Sequence, residues 1–254
     1  MKKKRIKFGW KPDVPDLRDI KYVPAQSTKL KKGGPSGVDL RDRFFQCWDQ
    51  GSLGSCTAQA VAAACQFLDI YDDDMDIVTP SRLFLYYNTR LIEKTTASDE
   101  GAQIRNAIKS AALYGYPAES QCKYLVSDFA KKPTPLAYRS AKKEAITKYM
   151  RVERNIAHFK SLLTNGYPVI IGIAVYDSID KASVTKSGVI PMPKKNETMQ
   201  GGHAILVVGF DDAKSQFIFR NSWGKSWGDE GHGYLPYAYI ESTDLSDDFW
   251  VIKR

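Results

Sequence analysis

The sequence predicts an α+β protein of two lobes, a helical one followed by a β-rich one. Helical apolar periodicity is concentrated in the first half of the chain. Short, nearly continuous apolar runs bounded by turn residues fill the second half. With 254 residues, 43% hydrophobic and 26% charged, the chain suffices for one large domain or two small lobes sharing a cleft. Helices and strands segregated in this way favour an α+β arrangement over alternating βαβ units.

Residues 1–36 stand apart as an extended leader. Pro12, Pro15 and Pro24 oppose a helix, and Phe8, Trp10, Leu17, Ile20, Tyr22 and Val23 are candidate anchors along a strap. The main domain spans 37–254, with a helical lobe over about 38–150 and a β-rich lobe over about 151–254. Residues 56–71 read as a helix, because Ala60, Val61, Ala64, Phe67, Leu68 and Tyr71 fall on one broad face. Its end is expected at the acidic run 72–74, since negative side chains disfavour a helix C-terminus. Further helices are expected at 80–93, at 101–114 ending on Gly115, at 137–150, and at 153–164 closed by Asn165-Gly166. Strands are expected at 167–176, 204–210, 216–220, 233–236 and 249–253.

The formal net charge of +8 is scattered along the chain, without interleaved aromatics, and argues against a nucleic-acid role. No apolar run reaches the roughly 18 residues that a membrane span needs. The basic start Met1 to Arg5 lacks the apolar core of a secretion signal. Cys47, Cys56, Cys65 and Cys122 have no metal-like spacing, and no metal or other cofactor is expected. An intracellular, reducing setting and a monomer are expected, with Cys47, Cys65 and Cys122 as free structural thiols.

The chemistry begins at Gln50-Gly51-Ser52-Leu53-Gly54-Ser55-Cys56. Cys56 opens the first helix, where the helix dipole and a neighbouring imidazolium would favour the thiolate. Gln50 can present an amide N–H beside the Cys56 backbone N–H, and two such donors make an oxyanion hole. Of the three histidines, only His203 opens a buried strand after two glycines, from which its ring can reach the other lobe as base and then acid. His158 reads as a helix-surface histidine and His232 as a loop residue. Asn221 follows a strand and can fix the imidazole tautomer, with Trp223 and Trp227 shielding that bond from water. These are the parts of a cysteine peptidase, taking polypeptide substrates.

The Gln-Gly-x-x-Gly-Ser-Cys segment, His203 after Gly201-Gly202, and Asn221-Ser222-Trp223-Gly224 through Trp227-Gly228 resemble the papain family of cysteine peptidases, from about Val38 onward. The resemblance implies a papain-like fold with the active site in the cleft between a helical and a β-barrel-like lobe. It assigns Cys56, His203, Asn221 and Gln50 to catalysis. It also implies substrate contacts at Gly54, Gly101, Gly172, Gly202, Ala204 and Trp223, with Gly201 beside them. The small residues at 172, 201, 202 and 204 predict a roomy pocket for a bulky apolar side chain two positions before the scissile bond. Leu53 stands where many secreted relatives have a disulfide cysteine, and Thr57 where an aromatic residue is common. The leader resembles that of short-leader microbial or viral-type members; as an extended, aromatic-anchored strap too short to fold alone, residues 1–36 are expected either to lie in the cleft and hold a zymogen latent or to run passively over the surface. Cleavage after Lys31 is a candidate self-processing step. An endopeptidase is expected; a thiol acyltransferase using the same acyl-enzyme and a catalytically silent peptide-binding homologue are the alternatives.

Overall fold

The computed structural model describes residues 7–24, 34–44, 46–71 and 79–253. The expected helix stop at 72–74 and the candidate cleavage site at Lys31 lie outside them. In chain order the elements are β1 (Trp10–Lys11), β2 (Gly37–Asp39), α1 (Cys56–Tyr71), α2 (Arg82–Ile92), β3 (Ala102–Gln103), α3 (Ile104–Tyr114), α4 (Pro135–Ala141), β4 (Lys148–Arg151), α5 (Ile156–Thr164), β5 (Val169–Tyr176), α6 (Ala182–Ser187), β6 (Met199–Asp211), β7 (Gln216–Arg220), β8 (His232–Pro236), α7 (Tyr237–Glu241) and β9 (Ser246–Lys253).

The second lobe is built on a seven-stranded antiparallel sheet in the order β4-β9-β5-β6-β7-β8, with β2 also paired to β6. Its middle strands are buried on both faces, as their unbroken apolar runs require. Helix α1 lies between the α2–α3 pair on one side and β5–β6 on the other. It is therefore buried on every side, including Thr57, Gln59, Gln66 and Asp69, not on one broad face as its apolar pattern suggests. Helices α2 and α4 are capped by side chains: Ser81 accepts from Phe84 N and Thr134 from Ala137 N. Helix α3 stops at Gly115, whose φ of +69° suits glycine and whose missing Cβ would lie 1.8 Å from the Ala141 carbonyl oxygen.

One expected helix is corrected. Residues 137–150 divide into α4, ending at Ala141, and β4, which pairs with β9 from Lys148 opposite Lys253 to Arg151 opposite Trp250. The open edge of β9 supplies backbone partners there that outweigh local helix propensity. The leader differs too. Phe8, Trp10 and Tyr22 pack inward, whereas the side chains of Leu17, Ile20 and Val23 are exposed rather than the anchors expected. Around Ile20 the leader is held by backbone bonds: Tyr22 N donates to Arg151 O and Arg151 N to Ile20 O.

Candidate active site

Cys56 is the first residue of α1 and is wholly buried. The amides of Ala204, Gly9, Thr57 and Cys56 itself favour its thiolate, yet burial dominates and pushes the thiol up to about 11. His203, on β6, is 1% exposed. Its Nε2 lies 2.8 Å from Asn221 Oδ1, which also accepts from Ser222 N at 2.8 Å. An oxygen already receiving an N–H favours the tautomer in which His203 donates from Nε2. His203 Nδ1 is then the nitrogen able to take a proton, and it is buried with no hydrogen-bond partner among the described residues. Trp223 stacks on the imidazole at 4.5 Å between centroids and 25° between planes, and Trp227 meets Trp223 edge-on. Burial holds His203 down to about 4, with the Asn221 bond opposing it. Burial thus works against the charged form of both groups of the expected thiolate–imidazolium pair.

Gln50 is fixed from the opposite lobe. Its Oε1 accepts from Ser222 Oγ at 2.7 Å and its backbone N donates to Ser222 O at 2.8 Å. This leaves Gln50 Nε2 to donate to Leu53 O at 2.8 Å and to the leader carbonyl Lys7 O at 3.0 Å. Asp99 accepts from Gly54 N at 3.0 Å and forms an ion pair with Lys7 at 2.7 Å.

Residues 7–13 run between the lobes. Strand β1 pairs in parallel with β3, and Ala102 N donates to Gly9 O at 2.7 Å. Gly54 and Gly101 both press on Gly9: a Cβ on Gly101 would lie 2.1 Å from Gly9 O. Phe8 sits edge-on to His203 and Trp223, and a Cβ on Gly201 would lie 2.8 Å from its own Cβ. Trp10 fills a space walled by Gly172 and Gly202, where a Cβ on Gly172 would lie 2.1 Å from the indole. Its Nε1 donates to Asp248 Oδ2 at 3.0 Å. Ala204 is buried, presents its amide to the Cys56 sulfur, and lines a small enclosed space with Trp48, Asn221 and Ser222.

A second cysteine–histidine pair lies elsewhere. His232 begins β8 and is 8% exposed, not the loop residue expected. With Cys47 it lines a cavity of about 620 Å³ that also includes Arg41, Asp39 and Asp229. Cys47 Sγ is 3.6 and 3.8 Å from the two ring nitrogens, so it lies along neither lone pair. Cys47 opens no helix, so this pair lacks the helix N-terminus that Cys56 has.

A model described as papain family cysteine protease matches residues 34–245. The chain belongs to the papain family of cysteine proteases. It is thus a cysteine-type peptidase, a hydrolase of peptide bonds, with the two-lobe α+β architecture of that family. An uncharacterized peptidase C1-like protein of Acanthamoeba polyphaga mimivirus is 41% identical over 97% of this chain and 86% of its own length. The crystal structure of xylellain, a cysteine protease from Xylella fastidiosa, is 42% identical, with a TM-score of 0.92 over 97% of this chain and 95% of that one. A Carica candamarcensis cysteine protease solved in complex with E-64 is 17% identical and shares the fold, at a TM-score of 0.67 over 87% of this chain and 99% of that one. Papain-family proteases bind polypeptides in the cleft between the lobes. No helix among the described residues is long and apolar enough to cross a membrane.

Four residues at the site escaped sequence reasoning. Ser222 lies within the Asn221–Gly224 segment, and only the fold carries its hydroxyl to Gln50 Oε1. Asp99 lay beside the glycine segment with nothing in sequence to join it to Gly54. Asp13 and Asp248 are separated by most of the chain, and only the fold brings them together.

Proposed function

We propose that this papain-family peptidase is an endopeptidase that uses Cys56 as its nucleophile and is kept latent by its own leader. In an open cleft the Cys56 thiol passes its proton to His203 Nδ1, and the sulfur attacks the substrate carbonyl carbon. The oxyanion is held by Gln50 Nε2 and the Cys56 backbone N–H. Collapse breaks the C–N bond, His203 returns the proton to the leaving amine, and a thioester remains. Water, deprotonated by His203, then releases the acid and the thiol. Asn221 holds the ring in the tautomer this requires, and Trp223 keeps water from that hydrogen bond.

The observation that carries latency is the leader backbone over the nucleophile: Lys7 O takes the Gln50 amide and Gly9 packs on Gly54. A tethered segment competes at an effective concentration of about millimolar for short linkers, so modest contacts suffice to block substrate. Gly54 and Gly101 would border the residue before the scissile bond, Gly172, Gly202 and Ala204 the bulky residue preceding it, and Trp223 the one after it. Hydrolysis of a fluorogenic peptide amide by the full-length chain, a chain lacking residues 1–36, and Cys56→Ala tests both parts. Activity should rise on leader removal and vanish in Cys56→Ala. Turnover surviving in Cys56→Ala would overturn the mechanism, and equal turnover with and without the leader would overturn latency. Added amines that divert the acyl group in preference to water would favour the transferase alternative.

A further inference from the structure

The pocket that Trp10 fills is not purely apolar. Its inner end is the carboxylate of Asp248, whose side chain is 1% exposed. The placement of this group depends on an irregularity in the sheet. Asp247 pairs with Gly172 and Trp250 with Ile170, so β9 carries one more residue than β5 between these pairs. Such a bulge re-aims a side chain that regular alternation would send elsewhere. Asp248 has a φ of +56°, in the left-handed region, and its N donates to Asp247 Oδ1 at 2.8 Å. The strained conformation turns the carboxylate toward the cleft.

The two oxygens of Asp248 have separate partners. Oδ1 accepts from Arg151 Nη2 at 3.0 Å. Oδ2 accepts from the indole of Trp10 at 3.0 Å and from Asp13 N at 2.7 Å, both donors belonging to the leader. Departure of the leader leaves Oδ1 paired and strips Oδ2 of both donors, inside a pocket walled by Gly172 and Gly202. An acceptor left bare in a buried place is costly, and a ligand that restores its donor is favoured over one that cannot.

The charge around Asp248 decides which donor fits. Arg151 pairs with Asp248 and Asp247, Arg154 with Asp247, and Arg105 with Asp19 of the leader. When the leader leaves it takes Asp13 and Asp19 with it, while Arg105, Arg151 and Arg154 stay with Asp247 and Asp248. The acid is then already matched by cations, and a further cation would be repelled. An uncharged N–H on a flat aromatic ring, shaped for the space between the two glycines, is the complementary group.

We propose that Asp248 is a specificity-determining residue of this peptidase and that it selects substrates with tryptophan two positions before the scissile bond, over aliphatic, phenyl and cationic side chains. This rests on the reading that Trp10 occupies the pocket which substrate uses. The test uses the full-length chain carrying Gly9→Val and Trp10→Ala, since any side chain at 9 collides with Gly54 O and frees the cleft. Peptide amides differing only at that position carry tryptophan, 3-benzothienylalanine (the same shape without the N–H), arginine or leucine. Tryptophan should exceed each of the others by about tenfold or more in kcat/KM. Asp248→Asn keeps a residue tolerant of positive φ; with its oxygen held by Arg151 it turns an N–H into the pocket, and the preference for tryptophan over benzothienylalanine should disappear. Equal rates for those two substrates, a preference for arginine, or a tryptophan preference that survives Asp248→Asn each overturn the proposal. Absence of any Cys56-dependent hydrolysis overturns the functional reading instead. The Asp248 bond is then read independently in full-length Cys56→Ala: Trp10→Phe should lower Tm, and by clearly less when Asp248→Asn is also present. Full additivity of those two substitutions would also overturn it.

Discussion

Gly9 of the leader and Gly54 before the nucleophile touch so closely that a Cβ on Gly9 would lie 1.9 Å from the Gly54 carbonyl oxygen. The contact is backbone against backbone, so neither side can yield as a flexible side chain would. Gly9→Val in the full-length chain should therefore displace residues 7–13 and raise peptidase activity, by about tenfold for each 1.4 kcal/mol of docking lost. Comparing its kcat/KM with that of the wild-type chain on one fluorogenic peptide checks this; no increase would show that residues 7–13 do not limit access.

Gln50 and Ser222 form a bridge between the lobes that aims an amide at the site. Gln50→Ala should lower kcat by about 10²–10³, as loss of one oxyanion donor does elsewhere. Ser222→Ala should lower it by about tenfold or less, since it removes a bond of about 1 kcal/mol that only orients the amide. Measured in the Gly9→Val chain, the two effects should combine to little more than that of Gln50→Ala alone, because Ser222 acts through Gln50.

The hold on the leader should depend on pH through Asp13. Its carboxyl accepts from Trp250 Nε1 at 2.9 Å and from Arg105 N at 3.1 Å. Burial, and then the charge of Asp248, raise it from 3.8 to about 7. A raised carboxylate binds a proton more tightly in the docked state than free. Its contribution to docking is thus complete below pH 3.8, declines between there and 7, and is lost as the pH rises through about 7. In full-length Cys56→Ala, where site chemistry cannot intervene, amide hydrogens of residues 9–14 should exchange faster at pH 8 than at pH 5, beyond the intrinsic pH effect. Asp13→Asn should flatten that difference.

Gly115 should be intolerant of substitution for reasons of stability alone. Its φ is +69° and a Cβ would collide with the Ala141 and Glu144 carbonyl oxygens. Gly115→Ala should cost roughly 1–3 kcal/mol or more and lower Tm by several degrees, with the active site untouched. Thermal unfolding of the full-length chain measures it.

The sequence by itself determined the chemistry and most of the framework. Cys56 at a helix start, His203 on a buried strand and Asn221 after the next strand were legible because each sits at an element boundary marked by glycines or by apolar periodicity. Helix α1 could be read from its first residue, and the strands β5 to β9 of the second lobe to within a few residues. What the tertiary structure decided is wherever a distant backbone or charge outweighs local preference. Lys148 to Arg151 became a strand because β9 offered an open edge. Leu17, Ile20 and Val23 are exposed because the leader is held near them by ion pairs and backbone bonds, while its apolar packing falls to Phe8, Trp10 and Tyr22. The burial that pushes the Cys56 thiol up and His203 down comes from the packed cleft, with Phe8 edge-on to the imidazole, which no local motif encodes. Asp248, turned into the cleft by an extra residue in β9, had no sequence signal at all, since its partners come from the opposite end of the chain.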